Sequence, residues 1–222
     1  MKQIYPNYKE PKFSSQLQFE IVSWLGRHFQ KRKSRIIAGK EPLLLDIGVG
    51  TNFIQGWTHV DFFTFRIKFW KTYTNLAEVQ TDLRYPLNCH DDIVDGVYSG
   101  HTLEHLYPNH AYFLIAEIYR ILKPGGWLRI NVPDLEIAID YYMGKNNVFN
   151  YTFKAEAIAN LTQNSGHHSV WNEELLKYAL ETSGFVKIKK VEFGIEGTDK
   201  RLIKENKVRK FESIAIEAQK PF

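Results

Sequence analysis

Apolar positions along the chain fall into short runs and helical stripes that alternate, which is the pattern of a parallel α/β domain. The clearest run covers Leu43–Ile47, contains Asp46, and leads into glycines at positions 48 and 50. A buried parallel strand that ends in such a turn allows a ligand to approach the backbone closely. We therefore expect a ligand site at this turn.

A second short strand is predicted over Trp57–Val60, and it ends at Asp61. Asp61 follows Gly50 by about half the ~20 residues that separate the glycines from the ribose carboxylate in a dinucleotide-binding unit. The connection is too short for a helix of normal length. Phe53 also stands where the third glycine of that fingerprint would be. These features count against a nicotinamide-dependent dehydrogenase.

Further strands and helices alternate along the middle of the chain. A short strand is predicted to end near Asp82, and a longer one covers Val94–Ser99. A helix with apolar residues at helical spacing comes next, and Lys123–Gly126 is expected to stop it and turn the chain into the strand WLRINVP. The order strand, helix, strand favours a right-handed parallel crossover.

The last third of the chain combines irregular segments with a regular ending. Residues 134–171 are expected to contain helices near 135–142 and 154–161 and to form a cap over the substrate side of the site. Asn172 is expected to cap a helix that ends at Gly184. Two strands joined by a charged loop then close the chain, which would make the last strand antiparallel to the others.

Residues 1–42 are predicted to form an N-terminal helical extension to a single domain over 43–222. Ser15 and Gln18 resemble a capping box. The basic run 31–35 suits the negative end of a helix dipole, and contact with an anionic surface is the alternative. One apolar helical face is expected to pack on the domain, and it consists of Leu17, Ile21, Trp24, Leu25 and Phe29.

Composition narrows the class of protein. The chain has 222 residues and 44% hydrophobic content, enough for one sizeable core. A net charge of +4 permits an anionic substrate or nucleic acid without requiring either. The single cysteine excludes an internal disulfide and fits a reducing compartment, so a cytoplasmic protein is expected. No apolar run approaches the ~20 residues of a membrane span.

The segment Phe62–Tyr73 interleaves aromatic and basic residues. Such a segment can stack on nucleic-acid bases or lie at a membrane surface. More often it packs over a sheet edge or forms a lid. We expect the structural role, and nucleic acid stays an alternative partner.

Five fragments, taken in chain order, resemble the class I S-adenosylmethionine-dependent methyltransferases, and the type 11 group most of all. They are LLLDIGVGTN, WTHVDF, TDLRYPL, VDGVYSGHTLEHL and YRILKPGGWLRINVPD. Each fragment is weak alone, but the order and spacing are specific. The resemblance implies a Rossmann-like, seven-stranded, mostly parallel sheet with an antiparallel last strand and helices on both faces. It also implies S-adenosylmethionine as cofactor and S-adenosylhomocysteine as product.

The resemblance also implies which residues bind the donor. It puts Asp46 beneath the methionine part, Asp61 on the ribose hydroxyls and Asp82 at the adenine amino group. A turn-capping role is the alternative for each of these acids. An anionic Asp46 beside a sulfonium and an ammonium is also favourable on physical grounds in a partly dry site. The remaining expected donor contacts are Gly48, Gly50, Asn52, Leu83 and Ser99.

His101, Glu104 and His105 follow the fourth strand, at the edge where ligands bind in open α/β sheets. A histidine can remove a proton from an acceptor near neutral pH, and His101 is the preferred candidate. Glu104 would orient an imidazole or bind the donor's amine. The alternative is that Glu104 and His105 stabilise the loop by hydrogen bonds.

The adjacent pair His167 and His168 follows no common zinc spacing, so no metal is predicted. Gly166, His167 and Trp171 are instead expected to shape the acceptor pocket. We expect a small-molecule acceptor such as a sugar or glycan precursor. A non-catalytic S-adenosylmethionine-binding scaffold and an RNA methyltransferase are the alternatives. The sequence leaves open whether the protein is a monomer or a homodimer.

Overall fold

The computed structural model describes residues 13–39, 41–50, 53–63, 77–163, 166–205 and 207–222. Three 3-10 helices cover Leu103–His105, Lys200–Leu202 and Lys207–Glu212. The α-helices are α1 Phe13–Phe29, α2 Pro108–Ile121, α3 Leu135–Tyr142, α4 Ala155–Asn160 and α5 Glu173–Thr182. The strands are β1 Leu44–Ile47, β2 Thr58–Asp61, β3 Val79–Gln80, β4 Val94–Gly100, β5 Leu122–Pro133, β6 Val186–Val191 and β7 Ser213–Gln219.

The strands form one seven-stranded sheet in the order β3-β2-β1-β4-β5-β7-β6. The pairs among β3, β2, β1, β4 and β5 are parallel, whereas β7 runs antiparallel to both β5 and β6. This is the predicted Rossmann-like methyltransferase sheet with its antiparallel last strand. The strand order reverses between β1 and β4, and ligands of open α/β sheets bind at the carboxyl ends of strands at such a point.

Both faces of β1 are buried, which explains its continuous apolar sequence. Consecutive strand residues point to opposite faces. Leu45 packs in the large cluster that α2 and α5 complete, while Leu44 packs with Trp57, Tyr98 and Leu202 on the other face. Asp46 follows the parity of Leu44, so its side chain points to the face that the connection between β6 and β7 covers.

Helix α2 ends at Ile121, as the sequence predicts, but Lys123–Gly126 do not form a separate turn. Leu122 already pairs with Val94 on β4, and the next pair is Trp127 with Gly96, so the four residues between form a bulge within β5. Helix α5 begins after Asn172, whose side chain accepts a hydrogen bond from the Leu175 amide at 2.9 Å. That cap confirms the sequence prediction.

The prediction for the N-terminal helix was wrong in its buried face. Ser15 lies inside α1 rather than capping it. The helix faces the body through Ser23 and Gly26, and a Cβ on Gly26 would lie 2.2 Å from the Phe63 ring. Small residues are needed because the helix backbone approaches this ring closely. The residues of the expected apolar face that are about half-exposed or more are Leu17, Ile21, Trp24 and Phe29.

The segment after β5 builds a small apolar cluster of its own. Ala138 and Tyr141 of α3 pack against Ala157 of α4 and Leu161. The cluster agrees with the predicted helices near 135–142 and 154–161. Its role as a cap on the acceptor side stays a prediction, as does the division of the chain at residue 42. Among the described helices, none combines the length and the apolar character that a bilayer crossing requires.

Candidate functional site

A cleft of about 550 Å³ opens at the carboxyl ends of β1 and β4. Its position is the switch point of the sheet, and its volume lies within the range of small-molecule sites. Sequence-predicted residues and unexpected ones share its lining. The lining residues are Asp46, Gly48, Val49, Gly50, Ile54, Tyr98, Gly100, His101, His105, Phe193, Lys204 and Arg209.

The glycine turn after β1 has the conformation that the sequence predicted. Gly48 and Gly50 have φ angles of +76° and +57°, where side chains with a Cβ are strained. A Cβ on Gly48 would lie 2.1 Å from Thr102 Oγ1, which donates a hydrogen bond to the Ile47 carbonyl. A Cβ on Gly50 would meet no atom within 4 Å. The turn is therefore tight beneath Gly48 and open beside Gly50.

Asp46 is a buried acid, and burial disfavours its ionised form. Its residue is 4% exposed, and no described residue donates a hydrogen bond to its carboxylate. Burial raises the pKa of Asp46 to about 7, and the nearby charge of Asp61 adds to the shift. A cation in the cleft would stabilise the ionised form, so the site is electrostatically prepared for a positively charged group.

Asp61 fastens the glycine turn to the end of β2. Its Oδ2 accepts a hydrogen bond from the Gly50 amide at 2.8 Å, and its Oδ1 accepts one from the Phe62 amide at 2.6 Å. A carboxylate oxygen has two lone pairs, so each can still accept another donor. The ribose contact of Asp61 stays a prediction.

Asp82 lies in a network that holds helix α1. The residue is 2% exposed and accepts hydrogen bonds from Ser23 Oγ at 2.6 Å and from Arg84 Nη2 at 2.7 Å. Burial opposes ionisation of Asp82, but the hydrogen bonds from Arg84 and Ser23 outweigh it and lower the pKa of Asp82. Arg84 also pairs with Glu20 of α1. The geometry favours the turn-stabilising alternative, while the adenine contact stays a prediction. The neighbouring Leu83 packs against the main core.

One further expected donor contact, Ser99, does not line the cleft. Ser99 is fully buried, and its hydroxyl has no hydrogen-bond partner among the described residues. Asn52 lies outside the described residues, as does most of the aromatic and basic segment Phe62–Tyr73. Their roles stay predictions.

His101 is held at both ring nitrogens. Its Nδ1 lies 3.0 Å from Glu104 Oε1, and its Nε2 lies 2.9 Å from Ser213 Oγ. The Ser213 hydroxyl donates its single proton to the Arg209 carbonyl, so Nε2–H must donate to Ser213. The expectation that Glu104 orients an imidazole fits this geometry, and the role of His101 as a base stays a prediction.

His105 is exposed and lines the cleft, and the segment before α5 lies beside it. The ring centroids of His105 and His167 are 4.9 Å apart. His105 Nδ1 also lies 3.4 Å from the carbonyl of Gly166, which is 61 positions further along the chain. His167 is buried and does not line the cleft; burial lowers its pKa. His168 turns away and stacks on Tyr107 at 4.4 Å.

The connection between β6 and β7 supplies cleft residues that the sequence did not reveal. Phe193, Lys204 and Arg209 come from it, and the only sequence signal was its high charge. A fully buried Arg129 on β5 anchors this connection, pairing with Glu205 and with Glu217 of β7. Its Nη1 also donates to the Glu196 carbonyl at 2.7 Å. A buried charge cluster thus positions one wall of the cleft.

Comparison with known proteins agrees with this fold. Residues 45–130 match the family described as a methyltransferase domain. The solved structure of a SAM-dependent methyltransferase from Archaeoglobus fulgidus is 21% identical, covering 94% of this chain and 100% of that chain, with a TM-score of 0.50. A SAM-dependent methyltransferase from Methanosarcina mazei is 18% identical, covering 83% of this chain and 94% of that chain, with a TM-score of 0.52.

A chain from a complex between the Haloferax volcanii Trm112 methyltransferase activator and a methyltransferase is 16% identical. That match covers 95% of this chain and 96% of that chain, with a TM-score of 0.50. The comparison with curated proteins found no match. At these identities the solved structures show the fold alone.

Residues 45–130 are similar to the methyltransferase-domain family, and the sheet has the Rossmann-like strand order of class I methyltransferases. S-adenosylmethionine is the cofactor of this class. The residues present fit it, because the cleft combines an open glycine turn with a buried acid that lacks a described hydrogen-bond donor.

Proposed function

We propose that the protein transfers a methyl group from S-adenosylmethionine to a small-molecule acceptor bound in the cleft between β1 and β4. The observation that carries the proposal is Asp46, which is buried at the floor of this cleft with a pKa raised to about 7. An uncompensated acid is costly unless a cation binds beside it. S-adenosylmethionine has two cationic groups.

The cofactor supplies an activated methyl group on a good leaving group. The protein's task is then mainly alignment, which can contribute up to ~7–11 kcal/mol to lowering the barrier. In this proposal Asp46 attracts the cationic part, Asp61 holds the turn and the ribose, and Gly50 leaves room for the ligand. Thr102 fixes the turn from below through its bond to the Ile47 carbonyl at 3.0 Å.

Two cations favour an acceptor with an anionic group. Lys204 and Arg209 line the cleft beside His101 and His105. Arg209 is paired with Glu212 at 2.5 Å, whereas no described acid pairs with Lys204. A carboxylate or phosphate on the acceptor would form an ion pair with Lys204. An acidic sugar or phosphorylated glycan precursor has this chemistry and agrees with the small-molecule expectation.

Donor binding tests the proposal first. Titration calorimetry at pH 8 should show S-adenosylmethionine and S-adenosylhomocysteine binding to the protein, and Asp46→Asn should weaken S-adenosylmethionine binding at least tenfold. Asp91→Asn is a matched control, because Asp91 is an exposed acid paired with Arg120 at the amino end of β4. Absence of donor binding at millimolar concentration, or equal effects of both variants, would contradict the proposal.

Turnover separates the enzyme from the alternatives. Methylation of an anionic small molecule in a screen with labelled donor supports the proposal. Donor binding without turnover on any acceptor class would favour a scaffold. Salt-sensitive binding and methylation of RNA would favour a nucleic-acid substrate, for which the exposed basic residues 31–33 would be the contact.

We further propose a cytoplasmic location, which agrees with the single cysteine.

A further inference from the structure

Three metal-ligating side chains converge where the 3-10 helix after β4 meets the segment before α5. Glu104, His105 and His167 each offer one ligand atom, and these atoms lie within 4.8 Å of one another. Glu104 and His167 are far apart in sequence, so only the fold brings them together. Adjacent His167 and His168 suggested no metal by their spacing, and only one of them belongs to this cluster.

Two atoms of the cluster are buried without a partner. Glu104 is 1% exposed and His167 is 9% exposed. Among the described residues, neither Glu104 Oε2 nor His167 Nδ1 has a hydrogen-bond partner. Buried polar atoms are nearly always satisfied, so two such atoms in one cluster of ligating residues point to a bound species. A metal ion and an ordered water molecule are the two candidates.

The surroundings of both imidazoles favour the metal. His167 Nδ1 is buried and has no hydrogen-bond partner among the described residues, so it is available to a ligand. His105 Nδ1 lies 3.4 Å from the Gly166 carbonyl, which leaves the lone pair on Nε2. Metal-binding histidines almost always donate their second nitrogen to a carbonyl or carboxylate in this way, which fixes the tautomer.

The third ligand is held equally firmly. Glu104 Oε1 lies 3.0 Å from His101 Nδ1, so Oε2 is directed away from that histidine. The Glu104 carbonyl accepts hydrogen bonds from the His168 amide at 2.7 Å and the Ser169 amide at 3.1 Å. The two loops that carry the cluster are therefore hydrogen-bonded to each other through their backbones. These bonds hold the ligand side chains near one another.

We propose that Glu104, His105 and His167 bind a divalent transition-metal ion of the zinc type at the edge of the cleft. Two imidazoles and one carboxylate are a zinc ligand set that leaves a fourth position open. Tetrahedral zinc with bonds of about 2.0–2.1 Å sets its ligand atoms about 3.4 Å apart, so the three side chains close slightly on the ion. His105, which is exposed, has the freedom to make this movement.

The open position would face the cleft, because His105 lines it. The chemical consequence rests on the proposed function. An acceptor hydroxyl bound to the ion would release its proton to water more readily. Its oxygen would then form the new bond to the methyl carbon as the bond from that carbon to the donor sulfur breaks. Metal binding itself does not depend on this step.

Metal titration tests the proposal directly. Protein without a histidine tag, first dialysed against a chelator, is titrated with Co²⁺ while its visible absorption is recorded, and with Zn²⁺ against a coloured chelator. We expect one ion per chain and displacement of Co²⁺ by Zn²⁺. Glu104→Gln, His105→Ala and His167→Ala should each weaken binding at least tenfold. His168→Ala is the matched control and should bind within twofold of the unaltered protein.

His105→Ala keeps the test decisive even if a buried variant fails to fold, because its side chain is exposed. Unaltered protein that gives no Co²⁺ spectrum would overturn the proposal and favour an ordered water at the two buried atoms. Binding by His105→Ala equal to that of the control would overturn it as well. Titrating S-adenosylhomocysteine with and without Zn²⁺ separates the two claims, since donor binding and metal binding can each fail alone.

Discussion

His101 and Ser213 lie 112 positions apart in the sequence, yet His101 Nε2 is 2.9 Å from Ser213 Oγ. The contact joins the end of β4 to the start of β7. Because Ser213 gives its own proton to Arg209, it serves His101 as an acceptor. This contact helps to fix the position of the imidazole. The backbone of His101 has a φ of +53°, a conformation that a histidine rarely adopts.

Ser213→Ala should destabilise the protein, because His101 Nε2–H would lose its acceptor in a partly buried place. The expected cost is about 1–3 kcal/mol in the free energy of unfolding, measured by urea denaturation. Ser34→Ala is the control, since the Ser34 hydroxyl bonds to the Lys31 carbonyl at an exposed site, and it should cost less than about 0.5 kcal/mol. Equal costs for both variants would mean that the His101 contact contributes nothing.

Donor affinity should depend on pH through Asp46. The pKa of this acid is about 7 in the free protein, and a bound cation lowers it, so binding below pH 7 must release a proton. Affinity for S-adenosylmethionine should therefore fall as the pH drops from 8 to 5, approaching tenfold per pH unit well below 7. Calorimetry in buffers of different ionisation enthalpy counts the protons released. A flat profile, or the same slope in Asp46→Asn, would refute this role.

The same acid should limit the stability of the free protein. The folded pKa is raised above the unfolded one, so the folded state binds more protons between these two values. Stability is thus highest below about pH 4 as far as this group is concerned, and it is lost as the pH rises to about 7. Asp46→Asn should unfold at higher urea concentration than the unaltered protein at pH 8, by a margin that shrinks at pH 5. Lower stability of the variant at pH 8 would contradict the expectation.

Two glycines with similar backbones provide a matched test of the turn. Gly50 and Gly56 have φ angles of +57° and +87°, and a Cβ on either would meet no atom within 4 Å. Alanine at either position should cost about 1–2 kcal/mol of stability through backbone strain. Gly50→Ala should also weaken S-adenosylhomocysteine binding at least fivefold, while Gly56→Ala should not, because only Gly50 lines the cleft. Equal binding by both variants would remove Gly50 from the donor site.

The buried charge cluster of Arg129 should be indispensable to the fold. Arg129→Met leaves Glu205 and Glu217 without their cation and should cost about 3–5 kcal/mol in urea denaturation. Arg201→Met removes a partly exposed pair with Asp199 in the same connection and should cost less than about 1 kcal/mol. Adding Glu205→Gln to Arg129→Met should recover part of the loss. No recovery would mean that packing, rather than charge, dominates at Arg129.

Local sequence patterns predicted the parts of the fold that depend on neighbouring residues. The buried run 43–47 with its glycine turn, the cap at Asn172 and the antiparallel ending all appear as expected. In each case the signal lies within a few residues of the structure that it specifies. The short reach from Gly50 to Asp61 also has a structural basis, since the Gly50 amide bonds to the Asp61 carboxylate.

Features that depend on contacts between distant segments were not predictable. The apolar pattern of α1 indicated the wrong buried face, because close approach to Phe63 requires Gly26. The hydrogen bond from Ser23 of α1 to Asp82 joins residues 59 positions apart and had no local signal, while the adenine contact of Asp82 stays a prediction. The meeting of Glu104 with His167 has no counterpart in local spacing. The cleft residues Phe193, Lys204 and Arg209, which come from the connection between β6 and β7, likewise had no local signal.

A crystal structure with S-adenosylhomocysteine is the most direct test of the central claim, that the cleft between β1 and β4 binds the methyl donor. We predict that the ligand's methionine part lies over the turn at Gly48 and Gly50, with its amino group or sulfur within about 5 Å of the Asp46 carboxylate. Its sulfur should face the space between His101 and Lys204. A ligand bound elsewhere, or an Asp46 that no part of it approaches, would contradict the account.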